Sequence, residues 1–167
     1  ERKNAWKTYN ASQLEELEQI NNRYKMCLDT GKTERECIRL AVKEIEKKGY
    51  KDLKDVKDGL KAGDKVYAVC MGKSIAMFQI GKEPLENGMN ILGAHIDSPR
   101  IDVKQNPLYE NEELAYLDTH YYGGIKKYQW VTLPLALHGV IAKTDGTIQE
   151  VNIGEKEDDP VFVVTDL

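Results

Sequence analysis

No stretch of this 167-residue chain approaches the roughly 20 consecutive apolar residues of a membrane-spanning helix, and the charged opening Glu1-Arg2-Lys3 leads into no signal-peptide core. These absences argue against a membrane partner and point to the cytoplasm. A basic surplus is missing as well: the net charge is −4 with acids and bases interspersed, so there is no cationic stripe for a nucleic acid to follow. Cysteine is scarce and odd in number. Cys27, Cys37 and Cys70 show no Cys-x-x-Cys spacing, which disfavours a zinc finger or a disulfide framework and reads as reduced core thiols. No histidine close in sequence supports any of them as a catalytic thiol.

What is present is the composition of an ordinary globular protein, long enough to bury the core of one or two small domains. Ser12-x-x-Glu15 has the form of a capping box, and Leu14, Leu17, Ile20, Tyr24 and Cys27 or Leu28 recur at helical spacing, predicting a helix over Ser12 to Thr30. Thr33-x-x-Glu36 repeats the pattern ahead of Ile38, Ala41, Val42 and Ile45, predicting a second helix over Glu34 to Lys48. Tyr50 to Gly63 reads as a polar connector with a turn of helix. Lys65 to Met71 and Ser74 to Ile80 read as a hairpin about Gly72-Lys73.

Chemistry concentrates after that hairpin. Met89-Asn90-Ile91-Leu92-Gly93-Ala94 predicts a short buried strand, and His95-Ile96-Asp97 follows it before Ser98-Pro99 interrupts the run. In extended backbone residues two apart project from one face, so His95 and Asp97 point together into whatever crevice lies beyond the strand end. A neutral imidazole ligates zinc through one ring nitrogen, and a carboxylate nearby can accept the proton of the other. The competing reading of the same residues is a turn in which Asp97 bonds to nearby backbone amides.

Beyond Pro99 the texture changes. Arg100 to Lys104 alternates as a strand, Gln105 to Glu113 is polar and loop-like, Leu114 to Tyr122 mixes aromatic and charged residues, and Gly123-Gly124 breaks it. Trp130 to Ile141 places Leu133, Leu135, Leu137, Gly139 and Ile141 on one strand face, Thr144-Asp145-Gly146 is turn chemistry, and Thr147 to Ile153 alternates again. An all-β meander is predicted. His138 falls opposite the leucine row as a partly exposed or hydrogen-bonded sheet residue, and His120 falls in a loop at a subunit contact. Neither is read as a metal ligand.

The run Gly93-Ala94-His95-Ile96-Asp97-Ser98-Pro99-Arg100, with Tyr122-Gly123-Gly124 and the Leu133 to Ile141 strand, resembles the aminopeptidase I and aspartyl aminopeptidase family of dizinc exopeptidases. The resemblance runs through most of the chain. It implies an α/β fold in which residues 1–100 are the N-terminal part of the catalytic domain and residues 101–167 begin an inserted β-rich dimerisation domain. It implies that His95 is a zinc ligand and Asp97 the catalytic carboxylate behind it. It further implies two divalent ions, peptide substrates cut at the N-terminus through a metal-activated water, and a homo-oligomer, a dodecamer built from dimers.

In that family a bridging Asp, a Glu pair, another Asp and a last His complete the site, and all are expected beyond Leu167. The chain therefore reads as an N-terminal portion, ending inside the apolar run Val161 to Leu167. Relatives also carry a histidine in the β domain that reaches the neighbouring subunit, and Val151-Asn152-Ile153 is the loose counterpart of its Val-His-Val stretch. The alternative function is a non-catalytic assembly or peptide-binding module made from the same lobe, because one histidine cannot form a catalytic zinc site alone.

Overall fold

A computed structural model describes residues 2–165, which divide into two compact units, Glu1–Ile96 and Asp97–Leu167. In the first, α1 (Ala11–Thr30) starts earlier than Ser12-x-x-Glu15 predicts. Asn10 is the cap: its side chain accepts from the Gln13 amide at 2.9 Å, and the Gln13 side chain accepts from the Asn10 amide at 3.0 Å. The amide pair satisfies the same orphan donors as a Ser/Glu box and takes in Ala11. Helix α2 (Glu34–Glu46) starts on the predicted Thr33/Glu36 box and stops before Lys47-Lys48-Gly49, where Gly49 adopts a left-handed φ of +84°.

Lys51–Asp52 forms the short strand β1, followed by a single 3-10 turn over Leu53–Asp55, so the connector is more ordered than its polarity suggests. β1 lies parallel to β2 (Lys65–Cys70), which pairs antiparallel with β3 (Ser74–Gln79) from Lys65↔Gln79 to Cys70↔Ser74. Ile38 of α2 and Val66 and Tyr67 of β2 are the buried apolar side chains of the described residues. Successive strand residues face opposite sides, so both faces of β2 are covered at this point. The Tyr67 hydroxyl, drawn inside with its ring, donates to Glu46 Oε1 at 2.8 Å.

The cysteines are not uniformly core residues. Cys27 and Cys37 are half-buried where α1 meets α2, but Cys70 is exposed beside the hairpin turn, contrary to its reading as a core thiol. Burial, with Glu36 and Glu34 adding to it, pushes the Cys37 thiol up, which holds it in the unreactive protonated form.

In the second unit β4 (Arg100–Asn111) and β5 (Leu114–Tyr122) form one long hairpin rather than a strand and a loop. The register slips between Val103↔Thr119 and Leu108↔Leu117, leaving residues 104–107 opposite Asp118 alone. Pro107 has no amide to give to a ladder, and a bulge is where a strand tolerates it. The strand resumes at Leu108 and turns through Glu112 and Glu113, both at positive φ. β6 (Leu137–Ala142) and β7 (Ile148–Ile153) make a second, separate hairpin.

The meander is thus two two-stranded sheets among the described residues. The predicted Trp130 to Ile141 strand is correspondingly shorter. Lys127–Trp130 forms the helical turn α3, Thr132 Oγ1 bonds back to the Gln129 carbonyl at 2.9 Å, and Pro134 cannot donate, so pairing begins only at the bridge Leu135↔Phe162 and at Leu137. That bridge is the part of the terminal apolar run that is ordered as β structure; Asp166 and Leu167 lie outside the described residues.

Candidate functional site

The segment that carries the motif is not a strand. Residues 89–99 form no ladder with β1, β2 or β3, which corrects the predicted strand over Met89 to Ala94. Met89 is 61% exposed, Ile91 79% and Leu92 100%, although their sequence pattern is that of a core strand. A strand exists only through partners, and among the described residues none lies alongside. His95 is exposed at the end of the first unit, and Asp97, half-buried, opens the second.

Asp97 sits in a defined network. Its Oδ2 accepts from the Tyr122 hydroxyl at 3.0 Å. Tyr122 is the last residue of β5 and pairs across the ladder with Arg100, the first residue of β4. The Arg100 guanidinium lies over the Tyr122 ring at 4.1 Å and its Nε donates to Asp102 Oδ1 at 2.6 Å. Asp102 in turn pairs across the ladder with His120, whose Nε2 is 3.9 Å from Asp102 Oδ2. His120 is therefore a strand residue and not the predicted loop residue.

Beyond Tyr122 the chain reverses at Gly123, where φ is +74° and an added Cβ would stand 3.4 Å from Pro99 Cα. The left-handed φ favours glycine here, and its backbone lies against Pro99. Tyr122 and Arg100 are the site residues that reading the sequence missed. The signal was available in Tyr122-Gly123-Gly124, but their pairing depends on a ladder register set more than 20 residues away in the chain.

His138 behaves as predicted. Its side chain is only 10% exposed and its Nε2 lies 2.9 Å from Glu155 Oε1, while its ladder partner Asn152 is exposed. Among the described residues no group of three or more His, Cys, Asp or Glu side chains is placed to hold a metal ion. The His95 imidazole has the right donor chemistry for zinc but needs about two further protein ligands to make even an open site. No helix of the described residues is long and apolar enough to cross a membrane.

Comparison with known proteins places these features in context. The sequence model of the aminopeptidase I zinc metalloprotease family, M18, matches residues 27–167. A probable M18 family aminopeptidase 1 of Clostridium acetobutylicum is 58% identical across all of this chain, which spans 37% of that relative's length. Aminopeptidase I from Borrelia burgdorferi B31 superposes with a TM-score of 0.91 at 41% identity, over 99% of this chain and 41% of the other. The M18 family aminopeptidase of Thermotoga maritima gives 0.90 at 44% identity, over 100% and 36%.

Proposed function

The chain belongs to the aminopeptidase I zinc metalloprotease family, M18, and from that membership we propose that it is the N-terminal part of a metalloaminopeptidase that releases N-terminal residues from peptides. The observation that carries the proposal is the family match over residues 27–167, which takes in His95, Asp97 and the Tyr122-Gly123-Gly124 turn together. The match does not favour the alternative of a non-catalytic module. With the chain spanning 37% of its Clostridium relative, the rest of the active site belongs to sequence beyond these residues.

In this reading His95 ligates one zinc ion, and a second divalent ion is held by side chains supplied further on. Bound zinc supplies Lewis acidity toward the scissile carbonyl and makes a nearby water more acidic. Asp97 orients the His95 ring and raises its basicity by accepting from the nitrogen that does not face the metal. Residues 1–100 belong to the catalytic domain, and residues 101–167 begin the inserted β-rich domain through which dimers form and build a dodecamer. The enzyme works in the cytoplasm.

The test is substitution in the full-length protein. His95→Ala is expected to lower bound zinc and abolish hydrolysis of aminoacyl-nitroanilides while leaving the circular dichroism spectrum unchanged. Asp97→Asn is expected to retain the ion at saturating zinc and to lose about 10- to 100-fold in turnover. Full activity with wild-type metal content in His95→Ala would remove His95 from the site. Release of metal by Asp97→Asn as complete as that by His95→Ala would make Asp97 a direct ligand.

A further inference from the structure

We infer that Tyr122 is a positioning residue for the catalytic carboxylate, holding Asp97 in one orientation through its phenolic hydroxyl; this rests on the reading of Asp97 given above. A carboxylate outside regular structure rotates about its Cβ–Cγ bond and exchanges partners with water unless one oxygen is fixed. Here Oδ2 is engaged by the Tyr122 O–H at 3.0 Å, a hydrogen bond to a charged acceptor and stronger than one between neutral groups. With Oδ2 held, the direction of Oδ1 is set as well.

The donor is itself fixed from three sides. Backbone pairing puts Tyr122 opposite Arg100 on the first rung of the β4–β5 ladder. The Arg100 guanidinium covers the ring face at 4.1 Å, and Asp102 holds that guanidinium in turn through Nε at 2.6 Å. Gly123, at φ +74°, brings the backbone that follows Tyr122 against Pro99, two residues beyond Asp97. The hydroxyl and its acceptor are thus carried by two segments packed on each other, and neither depends on a long flexible side chain. A ring stacked under a cation has no need of a hydroxyl for packing. The hydroxyl is the atom that reaches Asp97.

The experiment is a double-mutant cycle in the full-length, zinc-loaded protein. Tyr122→Phe keeps the ring under Arg100 and removes only the donor. It is expected to lower kcat about 10-fold with KM within about 2-fold, and to weaken zinc affinity, measured by chelator competition, by a similar factor. In an Asp97→Asn background the same substitution is expected to change neither quantity, because the acceptor it served is already altered. Tyr121→Phe, one position away on the other face of β5, serves as the control and is expected to leave both unchanged.

Wild-type kcat and zinc affinity in Tyr122→Phe overturn the inference. So does an equal loss in the two backgrounds, which would mean that Tyr122 acts independently of Asp97. If Asp97→Asn alone leaves kcat and zinc affinity unaltered, the failure lies in the reading of Asp97 itself, and the cycle separates the two cases.

Discussion

Tyr67 shows how a single buried side chain ties a helix to a sheet. Its ring is covered in the core and its hydroxyl donates to Glu46 of α2, and that bond, with burial and the nearby charges of Glu46 and Asp52, pushes its pKa up to about 12. The unfolded chain ionises near pH 10. The linked stability is therefore complete below about pH 10 and is lost as pH rises through 12. Absorbance titration is expected to show one tyrosine ionising late, together with unfolding, and Glu46→Gln is expected to bring it down.

Gly154 makes the opposite kind of demand. It adopts φ +106°, and an added Cβ would stand 2.9 Å from Ala136 Cα, a backbone atom that cannot step aside. Gly154→Ala is expected to destabilise the second unit by more than about 1 kcal/mol in denaturant titration. Single residues were legible in the sequence where their chemistry is local: His95 and Asp97 stand two positions apart and declare themselves. The partnership of Asp97 with Tyr122 is 25 residues long in sequence and follows only from the β4–β5 register.

Among the elements, helices and the first hairpin were readable because caps and turns are short-range devices. Thr33 and Glu36 satisfy each other's backbone amides as the pattern predicts. Thr33→Ala is expected to cost about 1 kcal/mol in the denaturation free energy of the full-length protein, and Thr33→Ser to restore most of it. At α1 the same logic chose the wrong pair by two residues, since Asn10 with Gln13 does what Ser12 with Glu15 also promises.

Strands were harder, because pairing is decided elsewhere in the chain. The polar stretch after Lys104 has no alternating signal, yet Leu108 to Asn111 finds Leu114 to Leu117 across a two-residue turn and becomes strand. Met89 to Ala94 has an excellent apolar signal and pairs with no strand among the described residues. Apolarity predicts that a segment is to be covered; it does not supply the cover.

For the whole molecule, that distinction sets the last expectation. The buried apolar side chains, Ile38, Val66 and Tyr67, all belong to the first unit, and the described residues of the second contribute none. Leu14, Ile20, Met26 and Leu28 of α1 remain exposed, as do Ile91 and Leu92 before the motif and Leu133 and Ile141 on the predicted leucine row. So much uncovered apolar surface is the mark of an interface or of a domain that needs more chain. Relatives are longer by the margin required, since this chain spans 37% of the Clostridium protein. Residues 1–167 produced alone are therefore expected to be poorly soluble and inactive on aminoacyl-nitroanilides, the first for want of cover and the second for want of ligands beyond His95. The same residues joined to the rest of the protein are expected to sediment as a large closed oligomer, because a symmetric assembly covers the faces of every subunit at once. Analytical ultracentrifugation beside the nitroanilide assay decides between these outcomes: a monodisperse, peptidase-active monomer of the 167-residue chain would refute both the assembly argument and the missing-ligand argument.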